Sequence, residues 1–267
     1  MTLDVSFDEM VLSLWRQIRP RCIRLIVLES GAQSGAYNMA LDEQLLEWAR
    51  SKPPDSQQTS GSPAILIVRT YQWEKPTLSL GVNQSDKELP ALLKLYQPIQ
   101  SGSDLEVVRR PTGGRAILHG EDVSFSFITN IPLVLKLSLA QSYTLLTDWV
   151  QQALAQCGLD AYSGITQNER EYLRSAICFE THTPSDLVER QSGMKVVGSA
   201  QLRREGGILQ HGAAFLNPFG IQPCQFSQAL FSTVQSVLAQ QGLLLSDANS
   251  NGNDCEQWFE PVSLAQK

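Results

Sequence analysis

The stretch from Val107 to Gly120 restricts the fold of this chain more than any other. It runs from an apolar start through Arg109 and Arg110, a Pro111-Thr112-Gly113-Gly114 turn and Arg115, into Ala116-Ile117-Leu118 and then His119. That order predicts strand, tight loop, strand, because adjacent glycines permit positive φ where other residues clash. Such a loop can press bare backbone against a ligand. Three guanidiniums beside it supply forked donors suited to phosphate or carboxylate. The same pattern also describes an ordinary surface hairpin with solvated arginines.

The remaining chain supplies strands and helices for the loop to rest on. Arg24–Leu28 and Ala64–Tyr71 are compact apolar runs of strand length. Trp73–Gly81 reads as a turn and a further strand, with Pro76 at its beginning, where a missing N–H does least harm. Strict alternation over Val123–Ile128 puts Val123, Phe125 and Phe127 on one face. Helical spacing appears over Tyr37–Ala49, over Leu137–Cys157 up to Gly158, and over Phe226–Gln241. In the first of these Met39, Leu41, Leu45, Leu46 and Trp48 read as core positions.

An amphipathic pattern over residues 6–18 predicts a helix ahead of the main domain, and 51–62, rich in Ser, Pro, Gln and Gly, predicts a mobile loop. The boundaries that follow are an N-terminal helical extension at 1–20, one domain over 21–245, and a polar tail at 246–267.

A formal charge of −6 argues against bulk nucleic-acid binding, which needs many cations against phosphates. Acids near the N terminus and the lack of a membrane-length apolar run predict a cytoplasmic chain with no membrane partner. Five cysteines, at 22, 157, 178, 224 and 255, make no CxxC pair, so neither a zinc cluster nor a disulfide framework is indicated.

A second informative block begins at Cys178. After a loop of Thr, His, Pro and Ser, Gly193–Gln201 reads as a strand around Gly198, where a ligand chain or a second backbone can approach closely. A turn at Arg203–Gly207 leads into Ile208–Leu216, so a hairpin carries Lys195 on one arm and His211 on the other. A loop cysteine and a strand lysine suit acyl transfer through a thioester, since an ammonium favours thiolate and the amine can later take up a proton. The competing reading is a buried apolar cysteine and a solvated lysine.

Four segments in order, Asn38–Glu43, Pro76–Gly81 with Gln84, Arg109–His119 and Lys195–Gln201, resemble the superfamily of lipoate ligases, octanoyltransferases and biotin ligases. The chain is most similar to the cysteine-dependent octanoyltransferases that look like lipoate ligases. That resemblance implies a single α/β (α+β) catalytic domain, with mixed, largely antiparallel sheets flanked by helices. It implies transfer of an octanoyl group from octanoyl-acyl carrier protein to a lysine of an apo lipoyl domain, such as glycine cleavage H protein or a dehydrogenase E2. No metal and no nucleotide cofactor are implied. Cys178 is then the acyl-accepting nucleophile and Lys195 its activator and proton carrier.

Arg109, Arg110, Thr112, Gly113, Gly114, Arg115, His119, Gly198, Ser199, Ala200 and His211 are the expected substrate-binding residues. Arg203 and Arg204 are available to meet an acidic carrier protein. Cys224, which follows Pro223, resembles the Pro-Cys nucleophile step of a shorter octanoyltransferase family and stands as an alternative. An ATP-dependent lipoate ligase and an enzyme moving acyl groups between lipoyl domains are the alternative activities.

Overall fold

The computed structural model describes residues 22–54, 63–96, 105–164, 183 and 185–245. The helix predicted at 6–18, most of the loop predicted at 51–62, Cys178 and the tail from 246 lie outside the described residues.

Eleven strands and five α-helices of five residues or more are described: β1 Cys22–Gln33, α1 Gly35–Arg50, β2 Ala64–Trp73, β3 Thr77–Leu80, α2 Leu89–Tyr96, β4 Glu106–Arg109, β5 Ile117–His119, β6 Val123–Thr129, α3 Pro132–Lys136, α4 Leu139–Gln156, β7 Ala161–Ser163, β8 Leu187–Glu189, β9 Lys195–Arg204, β10 Gly207–Ala214, α5 Pro223–Gln240 and β11 Leu244–Leu245. Eight strands form one sheet in the order β11-β1-β2-β6-β10-β9-β8-β7, and three form a smaller sheet in the order β4-β3-β5. In the large sheet only the β11-β1 and β1-β2 pairs are parallel. This is the mixed, largely antiparallel α/β architecture the sequence implied.

The large sheet is covered on both faces. On one, Phe125 and Phe127 of β6 meet Trp149 of α4 and Phe226 of α5, with ring centroids 5.7–6.2 Å apart. Each such side chain contributes roughly 1.5–3 kcal/mol by leaving water. On the other, Ile65 and Ile67 of β2, Ile128 of β6 and Leu209 of β10 meet Leu45, Leu46 and Ala49 of α1. With both faces buried, the even-numbered positions of β6 are as hidden as the odd ones.

Helix α1 starts at Ser34, whose hydroxyl accepts from the Tyr37 amide at 3.2 Å. Glu106 of β4 reaches the same end and accepts from the Gly35 and Ala36 amides at 2.8 and 3.0 Å. A carboxylate there satisfies amides that have no partner within the helix and complements its dipole. The contact fixes the small sheet beside α1 and over the large one.

Two local expectations are corrected. Strand β1 does not stop before Ser30 but continues to Gln33 through an irregularity between Glu29 and Ala32, where Gly31 takes φ +60. Strands β4 and β5 flank the arginine-glycine loop without pairing with each other. Strand β3 lies between them, parallel to β4 and antiparallel to β5, so the loop arches over the end of β3.

Candidate active site

A small cavity of about 60 Å³, partly open to solvent, lies between the two sheets. Its floor crosses four neighbouring strands: Tyr71 and Trp73 on β2, Ser124 on β6, His211, Gly212 and Ala213 on β10, and Gly198, Ser199 and Ala200 on β9. Strand spacing of about 4.8 Å makes that floor roughly 14 Å across, the scale of an extended medium-length acyl chain. Ser79, Ile117, His119, Arg110 and Gly114 form the roof, and Met39 of α1 lies at the β2 end. Gly212 helps keep the β9-β10 side thin. A Cβ there would come within 2.6 Å of the Phe125 ring and 2.7 Å of the Gly198 carbonyl oxygen.

The roof is held by its own arginines. The Arg110 guanidinium donates to the carbonyl oxygens of Ser79 at 3.0 Å, Gly113 at 2.7 Å and Arg115 at 2.7 Å. Arg109 donates to the carbonyls of Gly81 and Gln84 at 2.8 Å each and pairs with Asp86. The forks that suited a phosphate on sequence grounds are thus turned onto main-chain oxygens. Gly81 lies so close beneath the loop that a Cβ on it would stand 2.0 Å from the Gly114 carbonyl oxygen. Of the paired glycines, Gly114 takes positive φ, at +90, and Gly113 does not.

Two buried histidine–carboxylate pairs flank the cavity. His119 stacks on Trp73 at 4.0 Å between centroids, and its Nδ1 lies 2.9 Å from Asp122 Oδ2. The same oxygen accepts from the Ser124 hydroxyl, which in turn accepts from the Trp73 indole N–H. His211 Nδ1 lies 3.1 Å from Asp42 Oδ2, and His211 Nε2 lies 2.7 Å from Thr112 Oγ1. Asp42 Oδ1 accepts from Arg69 at 2.7 Å and from the Ser126 hydroxyl at 3.0 Å.

Burial alone would raise both carboxyls. Arg69 and His211 outweigh it at Asp42, and His119 with its neighbours outweighs it at Asp122, so both pKa values fall below 3.8. Burial also pushes His211 below its ordinary 6.5, against the pull of Asp42. Its neutral imidazole is therefore favoured.

Of the expected residues, Arg110, Gly114, His119, Gly198, Ser199, Ala200 and His211 line one cavity. Thr112 is buried behind the loop against His211, and Gly113 faces Asn83. Arg115 is half-buried and Arg109 points outward to Asp86. Lys195 is buried at the start of β9, with Nζ 3.0 Å from Asp186 Oδ2, and is not among the lining residues. Cys178 lies outside the described residues. Cys224 is exposed in the first turn of α5 and does not line the cavity.

Neither Arg203 nor Arg204 is held in reserve for an acidic partner. Arg203 donates to the Leu135 and Leu137 carbonyls at 2.8 and 2.9 Å, and Arg204 pairs with Glu43 and Glu47 of α1. Among the described residues no three His, Cys, Asp or Glu side chains are grouped to hold a metal ion.

Met39, Tyr71, Trp73, Ser79, Ser124, Asp42, Arg69 and Asp122 were not singled out as site residues. Met39, Asp42 and Ser79 lie in two of the segments that resemble the superfamily, and Arg69 carried a signal of its own: it interrupts the apolar run of β2, and an arginine on a buried strand requires a partner. Met39 has helical spacing like a core residue, yet packs with Tyr71 and Trp73 at the cavity end.

This slot between two sheets belongs to the lipoate ligase type of fold. A lipoate protein ligase from T. acidophilum superposes with a TM-score of 0.57 at 20% identity, over 82% of this chain and 85% of its own. P. falciparum LipL1 in complex with lipoate gives 0.58 at 17%, over 89% and 68%. The chain belongs to the lipoyl protein ligase A/B catalytic domain family, whose model matches residues 34–242. Octanoyltransferase LipM of Anoxybacillus flavithermus is 36% identical to it over 199 residues, and that of Bacillus subtilis 36% over 198. The match covers 71% of this chain and 64% of each relative, so it spans less than two thirds of their length.

Proposed function

We propose that this protein transfers an octanoyl group from octanoyl-acyl carrier protein to a lysine of an apo lipoyl domain, in the cytoplasm, through a thioester on Cys178. The observation that carries this reading is the slot, four strands wide, whose glycine roof is braced by Arg110 on main-chain carbonyls while Arg109 donates to the carbonyls of Gly81 and Gln84 beneath it. An acyl chain needs such a slot. A ligase that makes an adenylate needs cationic groups aimed at phosphates, and here those two guanidiniums donate to main-chain carbonyls. The relatives named octanoyltransferase favour the same choice.

In the first step the Cys178 thiolate attacks the carrier thioester. A new C–S bond forms, the old one breaks, and the departing phosphopantetheine thiolate takes the proton that Cys178 gave up. Lys195, fixed by Asp186, supplies the positive charge that favours the thiolate and passes the proton. In the second step the acceptor lysine amine attacks the enzyme thioester. The C–N bond forms, the C–S bond breaks, and the amine's proton returns to Cys178.

Mixing the protein with octanoyl-acyl carrier protein and no nucleotide is expected to give an octanoyl adduct by intact mass. That adduct should vanish in Cys178→Ala and be consumed on adding an apo lipoyl domain. An adduct needing ATP and free octanoate would make the protein a ligase, and one formed only from an acylated lipoyl domain would make it a relay enzyme. Loss of the adduct in Cys224→Ala instead would move the nucleophile.

A further inference from the structure

Thr112 and His211 were expected to touch substrate, but Thr112 is buried and absent from the cavity wall. We propose that Asp42, His211 and Thr112 form a positioning relay that holds the glycine roof over the slot. The relay rests on the functional reading only for the identity of the ligand beneath that roof.

The direction of each hydrogen bond follows from the chemistry of the groups. Asp42 is fully buried on α1, with one carboxylate oxygen occupied by Arg69 and Ser126. An ionised carboxylate only accepts, so the hydrogen between it and His211 resides on Nδ1. The favoured neutral ring then leaves Nε2 bare, and a bare ring nitrogen accepts. Thr112 Oγ1, 2.7 Å away, must donate.

The Thr112 carbonyl in turn accepts from the Val82 amide at 2.9 Å, and two and three residues along the loop are Gly114 and Arg115. Asp42 thereby governs, from α1, the seating of a loop 70 residues later. It is a positioning residue, and so are His211 and Thr112.

The groups facing His211 are Asp42 from α1, Arg69 and Tyr71 around that carboxylate from β2, Arg110 from the loop and His119 from β5. Asp42 favours a proton on the ring, while Arg110 and His119 oppose it. If Nε2 does take a proton it becomes the donor and the Thr112 hydroxyl turns to accept, so the contact reverses direction and the tether persists.

The full-length chain tests this with Thr112→Val, Thr112→Ser and Asp42→Asn, using octanoyl-acyl carrier protein as donor. For Thr112→Val the KM of adduct formation should rise about three- to tenfold while kcat stays within about twofold, the size of one lost hydrogen bond that acts on binding. Thr112→Ser should restore it.

Imidazole ¹⁵N shifts should report His211 as the Nδ1–H tautomer in the wild type, and Asp42→Asn should shift hydrogen toward Nε2. An Nε2–H tautomer in the wild type, an unchanged KM in Thr112→Val, or no rescue by serine would overturn the relay. If the wild type forms no octanoyl adduct, the functional reading fails. The tautomer and the exchange rate of the Val82 amide, expected to quicken in Thr112→Val, then decide the relay by themselves.

Discussion

Arg69 and Asp42 have opposite charges, zero exposure and a separation of 2.7 Å, so neither has water to fall back on. The arginine is further held by the Asn38 carbonyl and side-chain oxygens at 3.2 and 2.6 Å and by the Ser30 hydroxyl at 2.9 Å. Its guanidinium also lies 4.0 Å from the Tyr71 ring centroid. Pairs of this kind are costly to break, because removing one member leaves the other charge buried alone. Arg69→Met keeps the length and apolar stem, so its effect reports the charge. We expect a loss of about 3–5 kcal/mol in urea unfolding, with the midpoint lowered and the slope kept. A loss below about 1 kcal/mol would mean that Ser126, Tyr71 and His211 satisfy Asp42 without it.

The small sheet owes its form to one contact between elements, the end of β3 under the arginine-glycine loop. The Arg110 amide donates to the Leu80 carbonyl at 2.9 Å, and the Val82 amide to Thr112. Gly81 lies between those two bonds, with no room for a side chain below Gly114. Gly81→Ala should therefore cost at least about 1–3 kcal/mol, since the clash is with backbone and no rotamer relieves it. Gly113→Ala, whose Cβ would meet only Asn83 at 3.9 Å, should cost less than about 1 kcal/mol. Thermal melts of the two variants give the comparison, and equal losses would remove Gly81 as the support of the loop.

Much of this arrangement was legible in the sequence, because strand-loop-strand, the β9-β10 hairpin and the helix ending near Gly158 are set by local periodicity and turn chemistry. The insertion of β3 between β4 and β5 was not, since pairing with a strand about 30 residues earlier leaves no local pattern. Nor could the sequence tell whether Arg109 and Arg110 would meet a ligand or main-chain carbonyls, those of Gly81 and Gln84 for Arg109 and of the loop itself for Arg110. A guanidinium has the same pattern either way, and only the folded path of the loop brings the acceptors to it.

Across the whole molecule the two histidine–carboxylate pairs tie the small sheet and its loop to the large sheet and α1, so the protonation of His211, Asp42 and Asp122 bears on the stability of the entire fold. His211 has a folded pKa below its ordinary 6.5. As pH falls below that value the unfolded chain takes up a proton that the folded chain refuses, so stability drops until the folded value is passed. Asp42 and Asp122 also have lowered values, below 3.8, and their contribution is intact above that pH and is lost as acid protonates them in the fold.

Acid should accordingly destabilise the protein in two stages, one opening below about pH 6.5 and one below about pH 4. His211→Gln retains a polar side chain between Asp42 and Thr112 but cannot titrate. Its melting temperature should lie below that of the wild type at neutral pH and be nearly flat between about pH 7 and 5, where the wild type declines. A decline of the same steepness in the variant would assign the first stage to another group and leave the carboxylates alone as the acid-sensitive ties between the sheets.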